Sequence, residues 1–268
     1  MYWIYDLPNW QLAALTVGFF IFISLTAFAL SRSWIHRRFS LSHETNEPVN
    51  GFFSGVGVFY GLLLGQIAVG AWQNADDVDN LVSREAAAAA AFYRDISGFP
   101  EPQKSRLQTQ VRDYLHYVVD VAWPAHHNGD ECFKGQALFM TRIDKIMLGF
   151  VPANEAEKAV YMTAFEAFNK LVEAYRLRVD SVDSGLPLEM WVVVFFGGLL
   201  TIVVSFFFHM SDRRAHVCLT GMLAVFIGLM IFLIVSLDNP FRGPNGVGSE
   251  SYQQLLTILD AYDPALVD

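Results

Sequence analysis

The chain has 268 residues, of which 53% are hydrophobic and only 17% charged, and its net charge is −9. Soluble domains carry about 25% charged residues, so this composition excludes an ordinary soluble globule. The acidic balance argues against a nucleic-acid partner.

The charge deficit is concentrated in four stretches, residues 11–30, 51–72, 190–208 and 217–237. Each is close to the ~20 apolar residues that a helix needs to cross ~30 Å of hydrocarbon. The segment before the first stretch has no basic run and leads into a full-length span, so it is read as part of a retained helix rather than a cleaved leader.

Two short loops join the spans in pairs. The first holds Arg32, Arg37 and Arg38, and the second, residues 209–216, holds Arg213 and Arg214. Basic residues in short loops mark the cytoplasmic side. On this count both termini and the long polar region lie outside. Asp6, Asp76, Asp77, Asp79 and Asp238 flank the outer ends of spans, as do Trp10, Trp72 and Trp191, while Trp34 falls at the inner end of the first.

The second span has no Pro or Gly between Trp72 and the far end of its alanine-rich extension. Alanine is the strongest helix former, and one continuous helix is expected over residues 52–96. Gly98 and Pro100 end it. A second outer helix is expected over 101–123, with an apolar stripe at Leu107, Val111, Leu115 and Val118, stopped by Pro124. Residues 125–132 read as a loop. A third helix covers 133–148. Asn154 then reads as an N-cap with Glu157 three residues on, opening a helix over 155–184 with apolar positions Val160, Met162, Ala164, Phe168, Leu171 and Tyr175. A short amphipathic helix over 250–261 closes the pattern.

The fold class is therefore all-α: an integral membrane protein with four transmembrane helices and an extramembrane helical domain inserted between spans two and three. The expected divisions are a first hairpin (1–72), the inserted domain (73–187), a second hairpin (188–237) and a tail (238–268).

The second span carries two patterns. Gly57, Gly61 and Gly65 repeat every four residues on one face, the spacing that lets helices approach closely in lipid. A second face carries Phe59, Leu63, Gln66, Gln73, Asp77, Asn80 and Arg84, grading from apolar through amide to acidic. Gln66 lies at mid-bilayer depth, where a polar group faces a partner or a water-filled path. Asp76, Asp77 and Asp79 would form an acidic vestibule in a ring of subunits, a feature that concentrates cations. His126, His127, Asp130, Glu131 and Cys132 lie close together but match no fixed ligand geometry, so no metal and no cofactor are expected. No nucleophile elbow, phosphate-binding loop or paired metal-ligand motif is present, and no enzyme activity is expected.

The segments VFYGLLLGQIAVGAW (58–72), EAAAAAAFYRD (85–95), VRDYLHYVVDVAWP (111–124), EAFNKLVEAYRLRV (166–179) and IVSLDNPFRG (234–243) resemble a widespread bacterial membrane family described as bestrophin-like. The run LLLGQIAVGAWQNADD is also similar to the second helix of the bestrophin channels, a glycine-containing apolar run followed by tryptophan and asparagine. Bestrophins are pentameric ion channels whose second helix lines a hydrophobic neck. The resemblance implies a homo-oligomer, by analogy a pentamer, in a bacterial inner membrane, with Phe59 and Leu63 as neck residues. It departs from that pattern in offering mainly one aromatic on the stripe. It departs again in its arginines, which put the large domain outside, where bestrophins keep theirs in the cytoplasm.

The expected function is passive conduction of inorganic ions through a pore lined by Phe59, Leu63, Gln66, Gln73 and Asp77, with cations slightly favoured. The alternative is a non-conducting membrane scaffold or sensor whose outer domain binds a ligand or partner.

Overall fold

A computed structural model describes residues 4–39, 41–128, 133–243 and 246–262. Nine α-helices follow in chain order among them: α1 (Asn9–Arg38), α2 (Asn46–Ile96), α3 (Gln103–Tyr117), α4 (Trp123–Asn128), α5 (Phe133–Leu148), α6 (Glu155–Asp180), α7 (Leu188–Ser205), α8 (Arg213–Asp238) and α9 (Glu250–Tyr262). No strand occurs among the described residues. Helices α1, α2, α7 and α8 are long and apolar enough to cross a membrane. Helix α2 starts six residues earlier than expected because Pro48 falls in its first turn, where a missing backbone N–H costs nothing.

Three features of the polar region differ from the sequence expectation. Pro124 does not stop its helix. A π-helical turn at Val118–Ala122 precedes it, and the wider turn lets the path continue into α4 with Pro124 in its first turn. Helix α6 ends at Asp180 and tightens into a 3₁₀ turn, Ser181–Asp183. Met162 is 64% exposed while Ala164, Phe168, Leu171 and Tyr175 are buried, because two helical residues lie ~200° apart around the axis. The cap of α6 forms as expected: Glu157 N donates to Asn154 Oδ1 at 2.9 Å, and Glu157 Oε2 accepts from Ala153 N at 2.8 Å.

The chain divides into two compact units. One comprises residues 1–74, 185–239 and 243–245, the other residues 75–184, 240–242 and 246–268. In the first, α1 and α8 pack backbone to backbone. A Cβ at Gly228 would lie 2.7 Å from Val17 Cα, so only glycine permits this approach. Phe20, Leu64, Val194, Ile202, Ile227 and Ile231 fill the core. The buried carboxylate of Asp238 accepts from the Tyr5 hydroxyl and from Leu186 N, each at 2.6 Å, tying three segments of this unit together.

In the second unit the alanine-rich half of α2 supplies Ala86, Ala89 and Phe92 to a core shared with α3, α5, α6 and α9. The expected stripe of α3, Leu107, Val111 and Leu115, is fully buried there, with Val118 of the π turn. At its centre Arg178 Nε donates to Glu85 Oε2 at 2.6 Å, and both side chains are 0% exposed. Arg178 Nη2 also donates to Gln136 Oε1 at 2.9 Å, the Tyr114 hydroxyl donates to Glu85, and the guanidinium lies 5.7 Å from the Trp123 ring. Burial first, and the Glu85 charge second, push the phenols of Tyr114 and Tyr252 well above their usual range. Helix α9 is fastened by Arg112, which donates to the Leu259 carbonyl at 2.7 Å and pairs with Asp260.

A buried ion pair is strongly destabilised when one partner is removed. Glu85→Ala is expected to cost about 3–5 kcal/mol, and the double variant Glu85→Leu, Arg178→Met to recover most of that loss. Thermal unfolding of the purified protein measures both. A single variant as stable as the parent would show that the pair is not what closes this core.

Candidate functional site

The site is built on the apolar half of α2, within the first unit. Tyr60, Leu64, Ile67, Ala68 and Ala71 are its buried residues, and their spacing defines one narrow face. Tyr60 anchors it. Its ring lies against α7 at Gly197 and Gly198, where an added Cβ would come within 2.6 Å of Cε2 and 2.9 Å of the hydroxyl respectively. The hydroxyl donates to the Val194 carbonyl at 2.8 Å.

The other faces of this segment are bare. Only 11% of the apolar window of α2 is buried, against 28–33% for the other three candidate spans. At 3.6 residues per turn, the face carrying Phe59, Leu63, Gln66 and Gln73 lies about 130° from the buried one, and the glycine face about 75° to the other side. Phe59 is 77% exposed, Leu63 half-buried, and Gln66 and Gln73 exposed. Phe59 and Leu63 border an apolar groove of about 560 Å³ shared with Gly197 and Leu200. Gln66 makes no hydrogen bond with another helix among the described residues. A Cβ at Gly57, Gly61 or Gly65 meets nothing within 4 Å, so within one protomer these glycines pack against no helix.

In the second unit Asp76, Asp77 and Asp79 are all exposed, as are Asn80 and Arg84. Asp76 accepts from Asn80 Nδ2 through its carbonyl at 2.9 Å.

The histidine-rich segment differs from the expected loop. His126 and His127 lie in α4. His126 is 1% exposed and packs beside Trp123 and Phe241, and burial, with the Arg178 charge second, lowers its pKa to about 4. It is held as a neutral core group, while His127 is exposed. Asp130, Glu131 and Cys132 lie outside the described residues.

Tyr60 and the Glu85–Arg178 pair are absent from the sequence reading. The tyrosine sits inside a continuous apolar run, and the ion-pair partners are 93 residues apart. Two signals were present: a pair of glycines in α7, and a lone carboxylate opening an alanine run.

This architecture defines a four-span, all-helical membrane protein with a helical polar unit. The sequence profile of the bestrophin-like domain matches residues 18–252, and the chain belongs to the bestrophin-like family. Solved structures share the fold at low identity. One is a point variant of a bacterial bestrophin homologue from Klebsiella pneumoniae, 11% identical, with a TM-score of 0.68 over 93% of this chain and 98% of that one. Another is described as a membrane protein, a proline-to-alanine variant, 11% identical, with a TM-score of 0.67 over 93% and 97%. A second Klebsiella pneumoniae variant is 13% identical, with a TM-score of 0.62 over 92% and 97%. No curated protein sequence matches the chain.

Because Gln66 has no partner inside the protomer, Gln66→Leu is expected to leave the stability of an isolated protomer within about 0.5 kcal/mol of the parent. Tyr60→Phe removes a buried hydrogen bond and is expected to cost about 1 kcal/mol. Denaturant unfolding in detergent compares them, and a larger loss from Gln66→Leu would place its amide in a contact within the protomer.

Proposed function

We propose that the protein is an oligomeric, bestrophin-like ion channel that conducts passively through a pore lined by the exposed face of α2. The observation that carries this reading is Gln66, an exposed amide in a membrane-spanning helix with no partner in its own protomer. Hydrocarbon solvates an amide poorly, so such a group faces another subunit or water. The sparse burial of α2 supports assembly around this helix.

In a ring of copies, Phe59 and Leu63 form an apolar constriction of the kind that gates by dewetting. Gln66 offers a polar site above it, and Gln73 and Asp77 lead to an acidic vestibule. The carboxylates of Asp76, Asp77 and Asp79 favour cations over anions. Gly57, Gly61 and Gly65 face a neighbouring subunit. By family analogy the ring has five members. The arginines near the two short loops support a cytoplasmic position for that end of the protein, which on this reading leaves the polar unit and both termini on the outer side of the bacterial inner membrane. The family supports a channel rather than an enzyme.

In planar bilayers Phe59→Ala is expected to raise unitary conductance by widening the constriction, and Asp77→Asn to lower the cation-to-anion permeability ratio. Light scattering of the detergent-solubilised protein is expected to give about five times the 30.1 kDa protomer mass. Unchanged current in Phe59→Ala would remove α2 from the pore, and a monomeric or dimeric mass would remove the ring.

A further inference from the structure

Helices α1 and α8 border an apolar groove of about 550 Å³ that the proposed pore does not use. Its volume falls in the ~300–1,000 Å³ range of small-molecule sites. Ile21 forms one wall, and Gly221, Met222, Val225, Phe226 and Leu229 form the other. Every lining residue is apolar, so the groove takes hydrocarbon. Gly221 gives it depth, since a Cβ there would meet nothing within 4 Å.

Two arginines crown this groove. At 3.6 residues per turn, Ile21, Phe28 and Arg32 lie within about 40° of one another around α1, and Arg214, Gly221 and Val225 within about 40° around α8. The two helices run antiparallel: Val17 meets Gly228, and Phe28 packs on His216 with ring centroids 4.6 Å apart. That register brings Arg32 and Arg214 to one level, within about 3 Å along the axis at 1.5 Å per residue. The groove begins about 10 Å deeper along α8 and ends about 22 Å deeper. This is the depth of one leaflet in a bilayer ~40–45 Å thick with its headgroups.

The charge at this level is not cancelled by the protein. Arg214 is exposed. Arg32 is half-buried, its guanidinium 5.5 Å from the centre of the Phe28 ring, and its inward Nη1 has no hydrogen-bond partner. Neither arginine is in an ion pair among the described residues. The nearby Asp212 caps α8, its Oδ1 accepting from the backbone N of Arg214 at 2.8 Å. Arg213, also exposed, adds a third positive charge at this end against that carboxylate. Uncompensated cations above a hydrocarbon slot fit a lipid whose head is net negative, whereas a choline head brings its own cation into the same field.

We propose that this groove binds one membrane phospholipid of net negative charge, of the phosphatidylglycerol class. Its phosphate lies between Arg32 and Arg214, and one acyl chain lies against Ile21, Gly221 and Val225. The site stands independently of the pore reading, since none of its residues belongs to α2.

The test titrates the full-length protein in detergent with phosphatidylglycerol or phosphatidylcholine and reads bound lipid by native mass spectrometry. The first phosphatidylglycerol is expected to bind about tenfold tighter than phosphatidylcholine, the scale of two arginines acting on one headgroup. Arg32→Gln and Arg214→Gln are each expected to remove most of that preference. Arg214 is exposed, so its variant is expected to keep the parent's melting profile even if Arg32→Gln loosens the packing on Phe28. Arg37 is the control: it is exposed at the same end but about 140° around α1 from Arg32, and Arg37→Gln is expected to leave the preference within about twofold. In nanodiscs, phosphatidylglycerol with a diazirine on its acyl chain is expected to label peptides containing Ile21 and residues 222–229. Gly221→Leu, which has room for its side chain, fills the groove and is expected to lower that labelling severalfold. Equal retention of the two lipids, an equal loss of preference in Arg37→Gln, or labelling indifferent to Gly221→Leu would each overturn the proposal. So would capture of a second copy of the chain, rather than lipid, by a photoreactive benzoylphenylalanine placed at position 225.

Discussion

A polar group in hydrocarbon must find a partner, and this constraint governs the membrane unit. Helices α1 and α7 meet it in part by turning hydroxyls onto their own backbone carbonyls, as Thr16 does against Leu12 O at 3.0 Å and Thr201 against Gly197 O at 2.8 Å. Helix α2 does not. It holds its neighbours by a single face, with Tyr60 seated in a glycine-lined slot of α7, and leaves an amide and a glycine ridge uncovered. A lone protomer is therefore an incomplete object in a bilayer. In the proposed ring these uncovered faces supply the contacts between copies.

The second unit meets the same physical demand with fully charged groups. It buries a full guanidinium and a full carboxylate where desolvation is expensive, and it does so by surrounding them with Gln136, Tyr114, Tyr252 and the face of Trp123. Such a pair contributes little net stability when complete. What it supplies is registry, because α2 and α6 have only one relative alignment in which Glu85 and Arg178 meet. His126 belongs to the same neighbourhood, and its neutrality follows first from burial and then from the nearby arginine charge.

Much of this was legible in the sequence because the signals are local. The four apolar stretches, the buried stripe of α3, the cap formed by Asn154 and Glu157, and the bounds of α5 each follow from spacing over a turn or two. The misreadings have a common origin in longer-range effects. Pro124 reads as a terminator until a π turn upstream absorbs its missing N–H. Met162 reads as core until its position is measured around the axis. His126 reads as part of a loop until tertiary packing turns it inward. The stripe of α2 is legible as a pattern, yet local periodicity does not specify what it faces. The Glu85–Arg178 pair and the Tyr60 slot join residues far apart in sequence and leave almost no mark in either segment alone.

The fastening of α9 has a consequence for biosynthesis. The core of the second unit takes Tyr252, Leu255, Leu256 and Leu259 from this helix, and Arg112 closes on the Leu259 carbonyl and the Asp260 carboxylate. These residues leave the ribosome only after α7 and α8 have been made. Until then the unit lacks one wall, and the charged centre between α2 and α6 stands open to water. Completion of the polar unit is thus ordered behind synthesis of the second membrane hairpin, so that a chain stalled between the two would be recognisable to quality control as unfinished.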